Sequence, residues 1–174
     1  MQIRRAERAD AAALHVLAAA TFPLACPPHT TQDAITDFIT TTLSEARFAE
    51  YLTDPDRELY LAEADGAALG YTMIVFGDPR DPDVVASVTA RPTAELSKCY
   101  VLAEQHGAGI AAALVEQSVE AARARNARTM WLGVNQENAR ANRFYDKQGF
   151  VLVGEKRFKV GDRFEHDYVR ERTL

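Results

Sequence analysis

The chain predicts a mixed α/β fold, a central sheet with helices on both faces. Three observations lead there. Two apolar stretches joined by Asp65-Gly66, and two more joined by Gly161-Asp162, have the pattern of β-hairpins. Between the hairpins, residues 95–148 alternate strand, helix, strand and helix. With 174 residues, 47% of them hydrophobic, the chain is long enough for one well-buried domain over residues 1–174 and short for two.

The elements follow in order. Gln2 to Ala6 suits a first strand, and Asp10 to Phe22, rich in Ala and Leu, a helix. Pro23, Pro27 and Pro28 then break the chain into a loop. Thr30 or Thr31 can cap a second helix reaching about Leu43, with a shorter one over Glu45 to Leu52. After the turn Asp54-Pro55-Asp56, Glu58 to Ala64 and Ala67 to Phe76 are the arms of the first hairpin. Gly77 to Thr93, with three prolines, is a loop carrying at most a short insertion. Glu95 to Leu102 is a strand with apolar Leu96, Cys99, Val101 and Leu102. Ala111 to Ala127 lacks Gly and Pro and is a helix. Met130 to Val134 is continuously apolar and too short for a core helix, hence a strand. Asn138 to Gln148 fits a helix stopped by Gly149. Val151 to Val160 and Arg163 to Arg172 form the last two strands.

Composition narrows the partners. A net charge of −5 argues against nucleic acid and is compatible with a cationic ligand. No apolar run approaches the ~20 residues that span a bilayer, and Met1-Gln2-Ile3-Arg4-Arg5 lacks a signal core, so the expectation is a cytoplasmic protein without a membrane partner. Cys26 and Cys99 are too few for a disulfide framework, and the four histidines have no metal-site spacing. Cys99, inside a strand, reads by default as a small buried hydrophobe, with a nucleophilic thiol as the alternative. A homodimer is compatible with all of this.

Chemistry concentrates in the turn His106-Gly107-Ala108-Gly109-Ile110-Ala111, between a strand and a long helix. Main-chain N–H groups converge at such a turn, and the helix adds free donors and the positive end of its dipole, so it suits phosphate. A plain chain reversal reads equally well for this segment alone. It has no Gly-Lys-Ser/Thr ending, and the three-glycine dinucleotide fingerprint is incomplete. A second constellation lies downstream. Asn138, Ala141, Asn142 and Tyr145, at offsets of three, four and seven, share one helical face that carries an amide and a phenol.

Together these motifs resemble the GNAT N-acetyltransferases. That family's acetyl-CoA loop runs Gln/Arg-x-x-Gly-x-Gly/Ala, which His106 to Ala111 matches except at His106, with Gln105 one place earlier. Its downstream signature is matched by Asn138, Ala141, Phe144, Tyr145, Gly149 and Phe150. Tyr100-Val101, Trp131 to Val134 and the tail from Phe158 through Asp167 look closer to PaiA-type polyamine acetyltransferases. The resemblance implies a mostly antiparallel sheet that splays into a V at an acetyl-CoA site, with acetyl-CoA as co-substrate and no metal. Residues implied for the coenzyme are Tyr100, Val101, His106, Gly107, Ala108, Gly109, Ile110, Ala111, Asn138 and Tyr145. Main-chain phosphate binding does not depend on the His106 side chain.

The implied reaction is direct acetyl transfer to an amine. A primary amine with a pKa of ~10.4 is nucleophilic in only about one molecule in 2,500 at neutral pH, so a base must take its proton and an acid must meet the leaving thiolate. Tyr145 matches the family residue that protonates the sulfur; ring packing is its structural alternative. Glu95, six residues before Val101, stands near where family members place a catalytic glutamate. A solvated strand-end carboxylate, with waters carrying the proton, is the other reading. Asn138 would hydrogen-bond the coenzyme or serve as a helix cap. Asp33 and Asp37, four apart, share a helical face that could attract a cation or simply be solvated. The acceptor is expected to be a small cationic amine, with polyamines leading on the tail resemblance. A domain that binds acetyl-CoA without turnover, a sensor or scaffold, is the alternative.

Overall fold

The computed structural model describes the backbone of residues 1–174 and every side chain except those of Phe158 and Val160, so these two side chains of the tail motif lie outside the described residues. Seven strands, β1 (Gln2–Arg5), β2 (Arg57–Ala64), β3 (Ala67–Phe76), β4 (Thr93–Val101), β5 (Thr129–Asn135), β6 (Val151–Val160) and β7 (Arg163–Thr173), form one sheet. Their order is β1-β2-β3-β4-β5-β7-β6. Every neighbouring pair is antiparallel except β4 with β5, which run parallel because a helix crosses between them.

Helix α5 (Ile110–Ala124) and helix α6 (Ala139–Lys147) cover one face, burying Leu114, Val115 and Val119 against Ile74, Leu96, Met130 and Leu132. Helices α1 (Ala11–Thr21), α2 (Gln32–Thr41) and α3 (Glu45–Thr53) cover the β2–β4 half of the other face. Helix α4 (Pro82–Ser87) covers the β5–β7 half of that face, packing Val84 and Val88 on Trp131 and Val169. The expected loop of residues 77–93 therefore contains a short helix, capped by the Asp81 side chain on Asp83 N–H.

Local chemistry sets most boundaries. Asp65 (φ 52°) and Gly66 (φ 78°) are both left-handed, as a tight two-residue hairpin turn requires. Thr31 and Ser44 cap α2 and α3 by accepting from Ala34 N–H and Arg47 N–H. Helix α5 ends at Ala124, before the expected Ala127, where Asn126 turns left-handed (φ 61°). Past α1 the chain continues as a 3-10 turn over Phe22–Ala25, because Pro23 sits where its missing N–H is not needed.

One irregularity decides where the chemistry sits. Across β3 and β4, Met73 pairs with Lys98 and Ile74 with Leu96, so Ser97 is an extra residue on β4. Side chains two apart on a regular strand share a face, but this bulge reverses the alternation. Ala94 and Leu96 face α5, and so do Cys99 and Val101 after the bulge. Glu95 and Lys98, paired with Val75 and Met73, both turn to the opposite face, as does Tyr100.

Candidate active site

Strands β4 and β5 pair only at Thr93–Thr129, Ala94–Met130 and Glu95–Trp131. Beyond Glu95 they diverge, so the V-shaped splay expected from the resemblance is present. A cavity of about 670 Å³ runs through the gap. It is lined at one end by His106, Gly107 and Gly109, at its middle by Cys99 and Tyr145, and at the other end by Glu95, Lys98, Glu165 and Asp167.

The loop end is an open cradle. Gly107 (φ 89°) and Gly109 (φ 82°) are left-handed, and a Cβ added at either would meet nothing within 4 Å. Among the described residues no acceptor takes the N–H groups of Gly107, Gly109, Ile110 or Ala111. Ala108 differs: its N–H turns back to Gln105 O at 3.3 Å. These donors at the start of a 15-residue helix fit a phosphate group. Next to the cradle, the His106 ring meets Val101 O at 3.0 Å and Arg140 on α6.

At the middle of the cavity the Tyr145 side chain stands beside Cys99, both lining its wall. Burial pushes the phenol well above its ordinary value of 10, with Cys99 and Tyr100 adding to the shift, so the hydroxyl stays protonated. Burial likewise pushes the Cys99 thiol up to about 12, which makes it a packing residue against the α5 face and a poor nucleophile. Asn138 caps α6, its Oδ1 accepting Ala141 N–H at 3.0 Å, and it lines the cavity wall. Asn142 is turned inward: it donates to Asn135 O and Asn138 O and accepts from Arg170. Tyr100 packs its ring between Tyr71 and Phe22, leaving main chain, rather than side chain, on the splay edge.

The far end is a buried charge cluster. Burial raises the Glu95 carboxyl above the ordinary carboxylate range, against the opposing pull of Lys156, Lys98 and Arg57. Lys98 is pushed down to about 8 by burial, which outweighs the attraction of Glu95. Asp167 on β7 pairs with Asn135 of β5 and Lys156 of β6. Gly133 gives Lys156 its space: a Cβ there would meet Lys156 Cε at 2.6 Å and Asp167 Oδ2 at 3.3 Å. His29, from the loop between α1 and α2, ties that loop to Glu165 at 2.7 Å. Asp33 and Asp37 are exposed on α2 and do not line the cavity; the same helix lines it with Phe38.

Of the site residues read from sequence, the structure gathers Glu95, Tyr100, Val101, Gly109 and Tyr145 around one cavity. Lys98, Arg140 and Lys156 line it as well and had no motif to mark them, while Glu165 and Asp167 fall in the tail motif, which had assigned them no role. Asp167 has a further consequence. Burial first, then the charge on Glu165, raise its carboxyl to about 6 from 3.8, against the pull of Lys156 and His166. The folded protein thus holds this proton more tightly than the unfolded chain, and stability falls as pH rises from the unfolded value through the folded one. At neutral pH the ionised group costs up to about 3 kcal/mol. Asp167→Asn should raise Tm by several degrees at about pH 7.5 and by much less at about pH 4. An equal shift at both pH values, read by thermal melts, would remove charge burial as the cause.

Among the described residues no group of three or more His, Cys, Asp or Glu could hold a metal ion, and no helix is long and apolar enough to cross a membrane. Residues 19–150 match the model of the Acetyltransferase (GNAT) family. An uncharacterized N-acetyltransferase of Mycobacterium tuberculosis is 47% identical over 165 residues, covering 95% of this chain and 98% of that protein. The PaiA N-acetyltransferase of Thermoplasma acidophilum, solved in complex with coenzyme A, superposes with a TM-score of 0.78 at 18% identity, covering 99% of this chain and 98% of the other. A ribosomal-protein-alanine N-acetyltransferase of Brucella melitensis superposes with a TM-score of 0.66 at 22% identity over 100% of both chains. At these identities the two solved structures share the fold.

Proposed function

The chain belongs to the GNAT acetyltransferase family, and from that premise we propose that it transfers acetyl from acetyl-CoA directly to the primary amine of a small cationic molecule, polyamines being the leading class. The observation that carries this reading is the continuity of the cavity. One end is a main-chain cradle suited to phosphate, the other a chamber with three carboxylates, and a phenol stands between them.

The coenzyme supplies an activated thioester; the chain's residues do the rest. Free N–H groups of Gly107, Gly109, Ile110 and Ala111 hold the pyrophosphate. The edge of β4 from Leu96 to Val101, which β5 leaves open, offers main-chain groups to an extended ligand arm. Glu95 takes the amine proton, and its raised carboxyl is a better base than an ordinary one. As the amine nitrogen bonds to the carbonyl carbon and the C–S bond breaks, Tyr145 gives its proton to the sulfur. Removing the amine proton at neutral pH costs about 4.6 kcal/mol for an unperturbed amine, which is the reason a base and a desolvated chamber are both needed.

A polyamine suits this chamber because one nitrogen can stay charged beside Glu165 and Asp167 while another reacts as free base. One solved structure that shares the fold is named for a ribosomal-protein alanine, so the chamber's chemistry, rather than the fold, must choose the acceptor. The expected result is a higher kcat/KM for spermidine than for an uncharged-tail amine of similar length, an advantage that shrinks with added salt. kcat/KM should also rise with pH along a limb lying above the ordinary carboxylate range, and Glu95→Gln should flatten that limb. Equal kcat/KM for the two amines at low salt rejects the polyamine class. Acetyl-CoA binding without CoA release from any of a broad panel of amines rejects turnover altogether.

A further inference from the structure

His106 stands where the loop pattern has Gln or Arg, yet a cation is present at that point. The His106 Nε2 atom lies 3.0 Å from Val101 O, and a ring nitrogen facing a carbonyl must carry the proton and donate. This assigns the tautomer: Nδ1 is left as an acceptor, and Arg140 Nη1 donates to it. The imidazole thereby links the end of β4 to a guanidinium reaching across from α6. Among the described residues Arg140 makes no ion pair with any carboxylate, and no partner but His106 takes its donors. A cation held by a neutral ring keeps its charge uncompensated, beside a cradle of unpaired N–H groups.

The geometry points to Arg140 as the pyrophosphate-binding cation of this loop, aimed by the His106 imidazole, so that two side chains on separate elements replace the single one at the loop's head. The inference rests on the reading that the loop holds acetyl-CoA. With one edge of the guanidinium on His106, the remaining N–H groups can bind phosphate oxygens in fork geometry. His106 is here a positioning residue, and its effect runs through Arg140.

The test is calorimetric titration with acetyl-CoA and with 3′-dephospho-acetyl-CoA, without any amine. Arg140→Ala should weaken both ligands by about tenfold or more, and Arg140→Lys should recover part of the loss. Binding to Arg140→Ala should also depend less on salt than binding to the wild type. His106→Ala should weaken binding less, and little further in the Arg140→Ala background, since the two act as one unit. In turnover, KM for acetyl-CoA should rise more than kcat falls.

Undiminished affinity of Arg140→Ala overturns the proposal. A loss seen with acetyl-CoA and absent with the dephospho form assigns the cation to the 3′-phosphate and overturns the pyrophosphate assignment. Additive effects of the two substitutions overturn the positioning role of His106. Failure of the wild type to bind acetyl-CoA defeats this inference together with the proposed function. Failure of spermidine as acceptor, with the Arg140 effect intact, defeats only the amine class.

Discussion

Replacing Tyr145 by phenylalanine should lower kcat by about a hundredfold or more while the protein keeps its fold. The ring packs edge-on against Phe144 at 5.2 Å and Phe150 at 5.9 Å between centroids, and phenylalanine retains both contacts. What disappears is one hydroxyl, beside the Cys99 thiol. A thiol could accept only weakly from it, so the loss should cost little stability. The chemical loss is larger. Burial holds the phenol's proton far beyond neutral pH, making Tyr145 a donor throughout the working range. Without it, a leaving thiolate in a low-dielectric cleft meets no acid. The measurement is kcat under conditions where chemistry limits turnover, paired with a thermal melt. An unchanged kcat there would reduce Tyr145 to a packing residue.

Gly109→Val should abolish measurable acetyl-CoA binding or weaken it by orders of magnitude, and two separate causes add. Gly109 is left-handed (φ 82°) at the start of α5, a conformation that costs an ordinary residue about 1–2 kcal/mol and a β-branched one more. Its missing Cβ would also project into open space, where a phosphate must come to reach the N–H groups. Valine fills that approach. Gly109→Ala separates the causes, since it brings most of the backbone strain with less bulk. By contrast His106→Ala removes a side chain and leaves the main-chain cradle, at about 1 kcal/mol. Calorimetry giving His106→Ala the larger loss would discard the main-chain account.

Legibility in the sequence followed the range of the interaction. The hairpin turns, the α5 and α6 helices and the loop between β4 and α5 were readable because their signals lie within a few residues of one another. The loop and α6 motifs placed Gly109 and Tyr145 on one cavity, and Glu95 fell within it. Contacts between distant residues were not readable. The bulge at Ser97 shows in no local pattern, since it is defined by the pairing of β4 with β3, and it is what turns Lys98 to the side of Glu95. Asp167 and Lys156 meet because β6 and β7 pair in one register and Gly133 leaves room across the sheet. Spacing put Asp33 and Asp37 on one helical face but not on which face; packing of Ile35 and Phe38 turned the pair to solvent. Arg140 was hidden for the same reason, since its partner is 34 positions away. Short helix α4 opens on Pro82 in a proline-rich stretch and shows its role only when Val84 meets Trp131.

The parting of β4 from β5 leaves the sheet unfinished along Leu96 to Val101. Proteins ordinarily hide or blunt a run of unpaired strand backbone, because another chain can add to it. Here the run is kept inside the molecule, and only a slender ligand can reach it. For a chain that seats its coenzyme there, occupancy and folding are one linked equilibrium: the unliganded form lacks part of its own structure, and the bound molecule supplies it. At a hundred times Kd such a ligand adds about 2.7 kcal/mol, enough to change how much of the protein survives proteolysis at any moment. The abundance of the enzyme would then follow the supply of its donor.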